Sequence, residues 1–210
     1  MIATRRVQVV VIASAMALAA ATARAQTGEL VERTLAIVGG QVITLSDVNA
    51  AIALGLIDVA PDASPVAAGT ARLVDRLLIL REVQRYTPPD PADAAIDSRL
   101  GEVRAKLGAG LPRALEVTGF TEVRLRAWIR DDLRSQAYLA QRFAAAGTPS
   151  EQEIAAAFTR DRAQFESSGT TFDQAVPILR ERLTAARRRD LITDWVSDLR
   201  RRTDVVLLPQ

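Results

Sequence analysis

The 210-residue chain contains no histidine and no cysteine. The first absence excludes His-based general acid–base chemistry, His metal ligands and Ser-His triads. The second excludes a thiol nucleophile, a Cys zinc site, a disulfide and a lipid-attached cysteine. Lys106 is the only lysine among 27 basic residues. Carboxylate and Ser-Lys chemistry stay open on composition alone. No Gly-rich phosphate loop is present: Gly39-Gly40-Gln41 reads as a hairpin turn, and Gly108-Ala109-Gly110 has no Lys-Ser/Thr after it.

The first 25 residues read as an export signal. Arg5 and Arg6 form a basic start, Val7 to Ala21 an apolar run, and Ala23-Arg24-Ala25 a small-x-small cleavage site. The run is Ala-rich and shorter than the ~20 residues a membrane span needs, so cleavage near Ala25-Gln26 is expected rather than anchoring. Export without cysteine fits a bacterial periplasm. Loss of residues 1–25 removes three Arg and no acid, leaving 24 basic against 25 acidic residues. That near-neutral balance gives no reason to expect nucleic acid as a partner, and no membrane span is expected in the remaining chain.

What is present is mostly helical periodicity with two β-rich segments. Thr34 to Val38 and Val42 to Thr44 flank the glycines and predict a tight hairpin. Ser46 is the expected cap of the helix that follows, with Val48, Ile52 and Leu56 as its apolar stripe. Asp58 to Gly69 reads as a loop and Thr70 as the next cap. The helix to Tyr86 is apolar on most sides, from Leu73 to Val83, which predicts a central position. Asp90 is the expected cap of a helix with Pro91 first and Ile96, Leu100, Val103 and Leu107 inward.

Leu111 to Thr118 predicts a short helix with Gly119 as a left-handed cap and Phe120 folded back on Leu115. Thr121 opens a long helix to about Ala146. Thr148-Pro149-Ser150-Glu151 and Thr171-Phe172-Asp173-Gln174 are capping-box patterns that open two more helices. The first of these carries Ile154, Phe158 and Phe165. Glu166 to Thr170 is a polar linker between them.

The last helix runs to about Arg202, with a kink or restart expected at Pro177. Its apolar face switches from Phe172, Val176, Leu179 and Leu183 to Leu191, Ile192, Trp195, Val196 and Leu199. Two packing surfaces follow, with Arg187 to Arg189 at the crossover. An isolated hairpin is marginal in water, so Val205 to Leu208 is expected to pair with it as a third strand. The fold class is mostly α with a small antiparallel β-sheet. The chain divides into a signal (1–25), a helical region with the hairpin (26–165), a linker (166–170) and a closing helix and strand (171–210).

This order of parts resembles the core of the SurA family of periplasmic chaperones. The resemblance is carried by Leu35 to Val48, reading LAIVGGQVITLSDV, and by Leu73 to Leu80. Trp128 to Leu133, Thr148 to Glu151 and Asp194 to Leu199 extend it over nearly all of the chain after the signal. Family members usually carry one or two parvulin prolyl isomerase domains before the closing helix. Here only residues 166–170 stand at that junction, whereas a parvulin needs about a hundred residues, a domain's worth. The parvulin site also uses histidine. A family label of peptidyl-prolyl isomerase is thus consistent with the resemblance, while the activity is not expected.

The resemblance implies an ATP-independent chaperone that binds unfolded envelope or outer-membrane polypeptides. The alternative from another class is a structural or adaptor subunit for one dedicated periplasmic partner. Phe120, Trp128, Phe143, Phe158, Phe172 and Trp195 are the large apolar candidates for a client cleft, and each also sits where a core residue would. Asp132 lies within the apolar face of its helix, where pairing with an Arg such as Arg76 is the structural reading. No second acid is placed by the sequence to make a catalytic pair with it. No catalytic residue, metal site or cofactor is assigned. Arg187 to Arg189 and Arg200 to Arg202 read first as solvated faces.

Overall fold

The computed structural model describes residues 32–60, 64–145 and 147–209. The export signal read over residues 1–25 lies outside them. Among the described residues the protein is mostly helical with one three-stranded antiparallel sheet. No described helix is long and apolar enough to cross a membrane.

Strands β1 (Thr34–Val38) and β2 (Gln41–Thr44) form the hairpin. Ile37 faces Val42 and Val38 faces Gln41, so the turn is Gly39-Gly40 alone and Gln41 belongs to β2. Both glycines have positive φ, 50° and 87°, as a two-residue primed turn requires. Strand β3 (Val205–Leu207) pairs antiparallel with β1, which makes the order β2-β1-β3. Ala36 faces Leu207, Ile37 faces Val206 and Val38 faces Val205. The ladder extends beyond the strand ends. Gly39 N donates to Asp204 O at 2.8 Å and Leu208 N to Leu35 O at 2.9 Å. The pairing of the chain end with the hairpin is therefore as the sequence predicts.

The helices are α1 (Leu45–Ala53), α2 (Pro65–Tyr86), α3 (Asp93–Leu107), α4 (Leu111–Thr118), α5 (Glu122–Arg142), α6 (Glu151–Arg160), α7 (Arg162–Ser167) and α8 (Phe172–Arg202). Several starts differ from expectation, and at α1 and α6 the reason is a choice between neighbouring capping residues. Thr44, not Ser46, caps α1, because Asp47 stands at the third helical position from Thr44 and closes a reciprocal box. Helix α2 begins at Pro65 with Ser64 as cap, six residues before the expected start. Proline is pre-organised for that first turn. Thr70 is then buried inside the helix, and its hydroxyl donates to Val66 O at 2.7 Å.

Helix α3 starts after Ala92 rather than Asp90. Ser150 and Glu153 form the box of α6, two residues later than expected. The break after Arg160 separates α7, which takes in Glu166 and Ser167 and shortens the linker to 168–170. Helix α5 stops at Arg142, short of Ala146. Thr121 caps α5 and Thr171 caps α8, as expected. So does Gly119 for α4, at φ 63°, with Phe120 N donating to Leu115 O at 3.1 Å. Helix α8 runs through Pro177 without a restart. The proline lies near the N-terminal end and removes one intrahelical donor, a loss that the 31-residue helix absorbs.

Three hydrophobic clusters hold these elements. The first joins the inner sheet face (Leu35, Ala36, Val38, Ile43) to α2 and to Trp195, Val196 and Leu199 of α8. The second lies among α1, α3, α4 and α5, around Leu54, Leu100 and Leu125. The third joins α6 and α7 to the first half of α8 through Ile154, Phe165 and Leu179. Helix α8 therefore serves two cores from two faces, as its switching stripe predicts. At the crossover Arg187 donates to Gly147 O at 2.9 Å and pairs with Glu153.

Two outcomes test this packing. A Cβ on Gly69, in α2, would meet Val48 Cγ1 at 2.7 Å and Ile52 Cδ1 at 3.2 Å. Alanine gains about 1 kcal/mol of helix propensity over glycine, but overpacking costs ~1–3 kcal/mol. Val48 is β-branched and stiff, so Gly69→Ala should destabilise by about 1 kcal/mol in urea unfolding; a gain in stability would refute the close α1–α2 approach. Glu153 supplies the second. The Ser150 backbone N–H, then its hydroxyl, then Arg187 hold its carboxyl down to about 2 from the usual 4.5. A depressed carboxylate stabilises the fold above its unfolded value and loses that contribution as pH falls toward the folded one. Between pH 4.5 and 2 the parent should thus lose stability more steeply than Glu153→Gln, as read from thermal midpoints.

Candidate functional site

The six aromatic candidates do not line one cleft. Phe120 packs edge-on to Trp128 in the second cluster, with centroids 6.3 Å apart. Phe143 and Trp195 meet at 5.8 Å in the first, beside Tyr138. Phe158 stacks on Phe165 at 5.2 Å and meets Phe172 edge-on at 5.1 Å in the third. Phe120 and Trp195 are buried, Trp128, Phe143 and Phe158 half-buried, and Phe172 is 38% exposed. Large rings on a helix's inward stripe gain most by burial against one another, and that is where these rings go.

A concave feature with an apolar floor lies elsewhere, between the loop after α1, α2 and α5. It has a volume of about 370 Å³. Helix α2 supplies Arg72, Asp75, Arg76 and Ile79, and α5 supplies Asp132, Ser135, Gln136 and Leu139. Each set repeats at i, i+3, i+4 and i+7, which places it on one face of its helix. Leu56 and Ile57 from the loop after α1 close one wall, with Asp58 at its edge. The floor is aliphatic and the rim carries both signs of charge.

Arg76 is the unusual member. Its guanidinium carbon lies 3.6 Å from the centre of the Trp128 ring, and Nη2 donates to Trp128 O at 3.3 Å. Its Nε is buried and has no hydrogen-bond partner among the described residues. Burial pushes the guanidinium below its usual value, while Asp131 and then Asp132 draw it back up. The expected Arg76–Asp132 ion pair is not formed. Asp132 is half-buried and accepts from Gln136 Nε2 at 2.7 Å, a helical i, i+4 contact that satisfies it locally. Asp75 is held from the other side by Arg200 Nε at 2.7 Å. Arg200 also donates to Ala71 O at 3.1 Å, so this part of the basic run 200–202 is structural.

No family model matches the chain, and no curated protein matches it. Among the described residues no three acidic side chains come together as a cation site. The groove presents Ile79 and Leu139 as its aliphatic surface, with the Arg76 Nε buried from solvent and unpartnered. Aromatic size as the marker of a cleft misses Arg72, Ile79, Gln136 and Leu139. The usable signal was the matching i, i+3, i+4, i+7 sets of mixed polarity on two neighbouring helices.

The Arg76–Trp128 contact has a measurable worth. A desolvated cation–π pair contributes about 2 kcal/mol, and the Trp128 carbonyl loses a charged donor besides. Arg76→Ala should destabilise the chain by about 2–3 kcal/mol in urea and shift tryptophan emission. An unchanged midpoint with unchanged emission would remove Arg76 from the groove's support.

Proposed function

We propose that this protein is an ATP-independent chaperone of the periplasm, of the SurA-like kind, that holds extended apolar segments of unfolded envelope or outer-membrane polypeptides. The groove between α2 and α5 is the observation that carries the reading. Its volume lies within the ~300–1,000 Å³ range of ligand pockets, enough for a few side chains of a passing segment. Its aliphatic floor is sequence-tolerant. Its rim of Arg72, Asp75 and Asp132 offers polar partners of both signs at the surface, where each contact is weak. Weak and tolerant contacts suit a holder that must release without nucleotide.

The sheet closed by both ends of the described chain and the short 168–170 junction fit the chaperone core of the resemblance. Nothing is proposed for prolyl isomerisation, since neither a parvulin-sized segment nor a histidine stands in the chain.

The purified chain should slow aggregation of a urea-diluted outer-membrane protein at equimolar ratio. Ile79→Glu places a charge on the groove floor and should weaken client affinity about tenfold, since an unpaired charge facing an apolar segment costs more than ~1.4 kcal/mol. Leu191→Glu, on the exposed side of α8, is the control and should hold clients as the parent does. Equal suppression by both variants would sink the groove assignment. No suppression by the parent, together with one tight folded partner in a pull-down, would turn the reading to an adaptor.

A further inference from the structure

Strand β3 lies at the edge of the sheet with one side unpaired among the described strands. The bonds Gly39 N to Asp204 O and Leu208 N to Leu35 O fix which residues face β1. Antiparallel ladders alternate, so Asp204, Val206 and Leu208 turn their backbone groups to β1. The N–H and C=O of Val205 and Leu207 then face outward. Two donors and two acceptors stand along that edge, beside Val206 at 41% and Leu207 at 63% exposure. No charged residue or proline interrupts β3, which are common devices for blunting an edge.

A second feature meets this edge at one end. A cavity of about 270 Å³ opens where β3 begins, between α2 and the end of α8. Its lining includes Arg81, Arg85 and Arg202, together with Glu82 and Asp204. Glu82 is buried and already held by Arg85 at 2.9 Å, with Arg202 at 3.9 Å. Arg81 donates through Nη1 to Gly39 O at 2.9 Å. Three guanidiniums face two carboxylates, one of them neutralised internally. The excess is one positive charge, carried by forks that keep free donors.

Direction links the two features. β3 runs away from the cavity, so a strand added antiparallel to it runs toward the cavity and ends there. We propose that the β3 edge and the Arg81–Arg85–Arg202 cavity form one site for the free carboxyl terminus of a partner polypeptide, added as a fourth, antiparallel strand. The outward groups of Val205 and Leu207 pair the strand, Val206 on one face of the sheet and Leu207 on the other flank its side chains, and the cationic cavity takes its terminal carboxylate. Strand addition and carboxylate capture are each known recognition modes that use backbone and charge rather than sequence. The site is separate from the α2–α5 groove and stands whether or not that groove holds clients.

A fluorescent peptide of alternating valine and threonine ending in leucine tests it, made once with a free carboxylate and once amidated. Anisotropy with the intact chain should show the acid binding about tenfold more tightly than the amide, the worth of a charge-assisted hydrogen bond. Leu207→Pro deletes one outward donor and no ladder bond, and should weaken both peptides. Arg202→Gln should weaken the acid alone. Equal binding of acid and amide by the parent overturns the carboxylate site, whatever the variants do. Full binding by Leu207→Pro overturns strand addition. Aggregation suppression and the Ile79→Glu variant report on the groove and not on this edge, so either result can fail while the other stands.

Discussion

The antiparallel ladder between Ala36–Val38 and Val205–Leu207 closes the described chain on itself across nearly its whole length. A lone hairpin of four- and five-residue strands would be marginal in water. The third strand lets Leu35, Ala36, Val38 and Ile43 present one continuous apolar face. That face is fully or almost fully buried, and each large side chain in it is worth ~1.5–3 kcal/mol. Helix α2 covers it and so becomes the centre of the fold, touching the sheet, α1, α5 and α8. The groove lies on the flank of α2 that remains after those contacts are made. Its floor exists because the ladder fixes where α2 lies.

Helix α8 extends this dependence outward. Its second half brings Trp195, Val196 and Leu199 to the sheet core, and its last turn delivers the chain to β3. Its first half carries a separate small core with α6 and α7. Ladder closure therefore fixes the helix on which the α6–α7 unit is built. Arg187, bonded to Gly147 O and paired with Glu153, ties α8 to the start of α6 where the apolar face switches.

Periodicity carried most of the fold in this sequence. The hairpin, the encircled α2, the stripe Ile96-Leu100-Val103, the Gly119 cap and the double-faced α8 are all legible, because each is set by side chains a few residues apart. Closure by Val205 was legible too, through the physical need of a hairpin for a partner. The starts of α1, α2, α3 and α6 were not. At α1 and α6 the winner is set by which third-position side chain can reach back, as Asp47 does to Thr44 and Glu153 to Ser150; α2 starts at Pro65 and α3 after Ala92 with no side-chain cap bond. The groove was legible only in its residues, not in their meeting. Nothing local in the sequence says that the Arg72–Ile79 face and the Asp132–Leu139 face are opposite walls.

Arginine rather than lysine at position 76 gives the groove its character. Arg76 sets its guanidinium carbon 3.6 Å from the centre of the Trp128 ring, in a place whose burial pushes its proton affinity down. A lysine there would start from a lower value and could shed its charge, whereas guanidinium keeps it. The planar group also spends Nη2 on the Trp128 carbonyl while Nε stays buried and unpartnered. A point-charge ammonium offers no such division of donors. A directional donor thus persists beneath an aliphatic floor at the cost of one unsatisfied N–H.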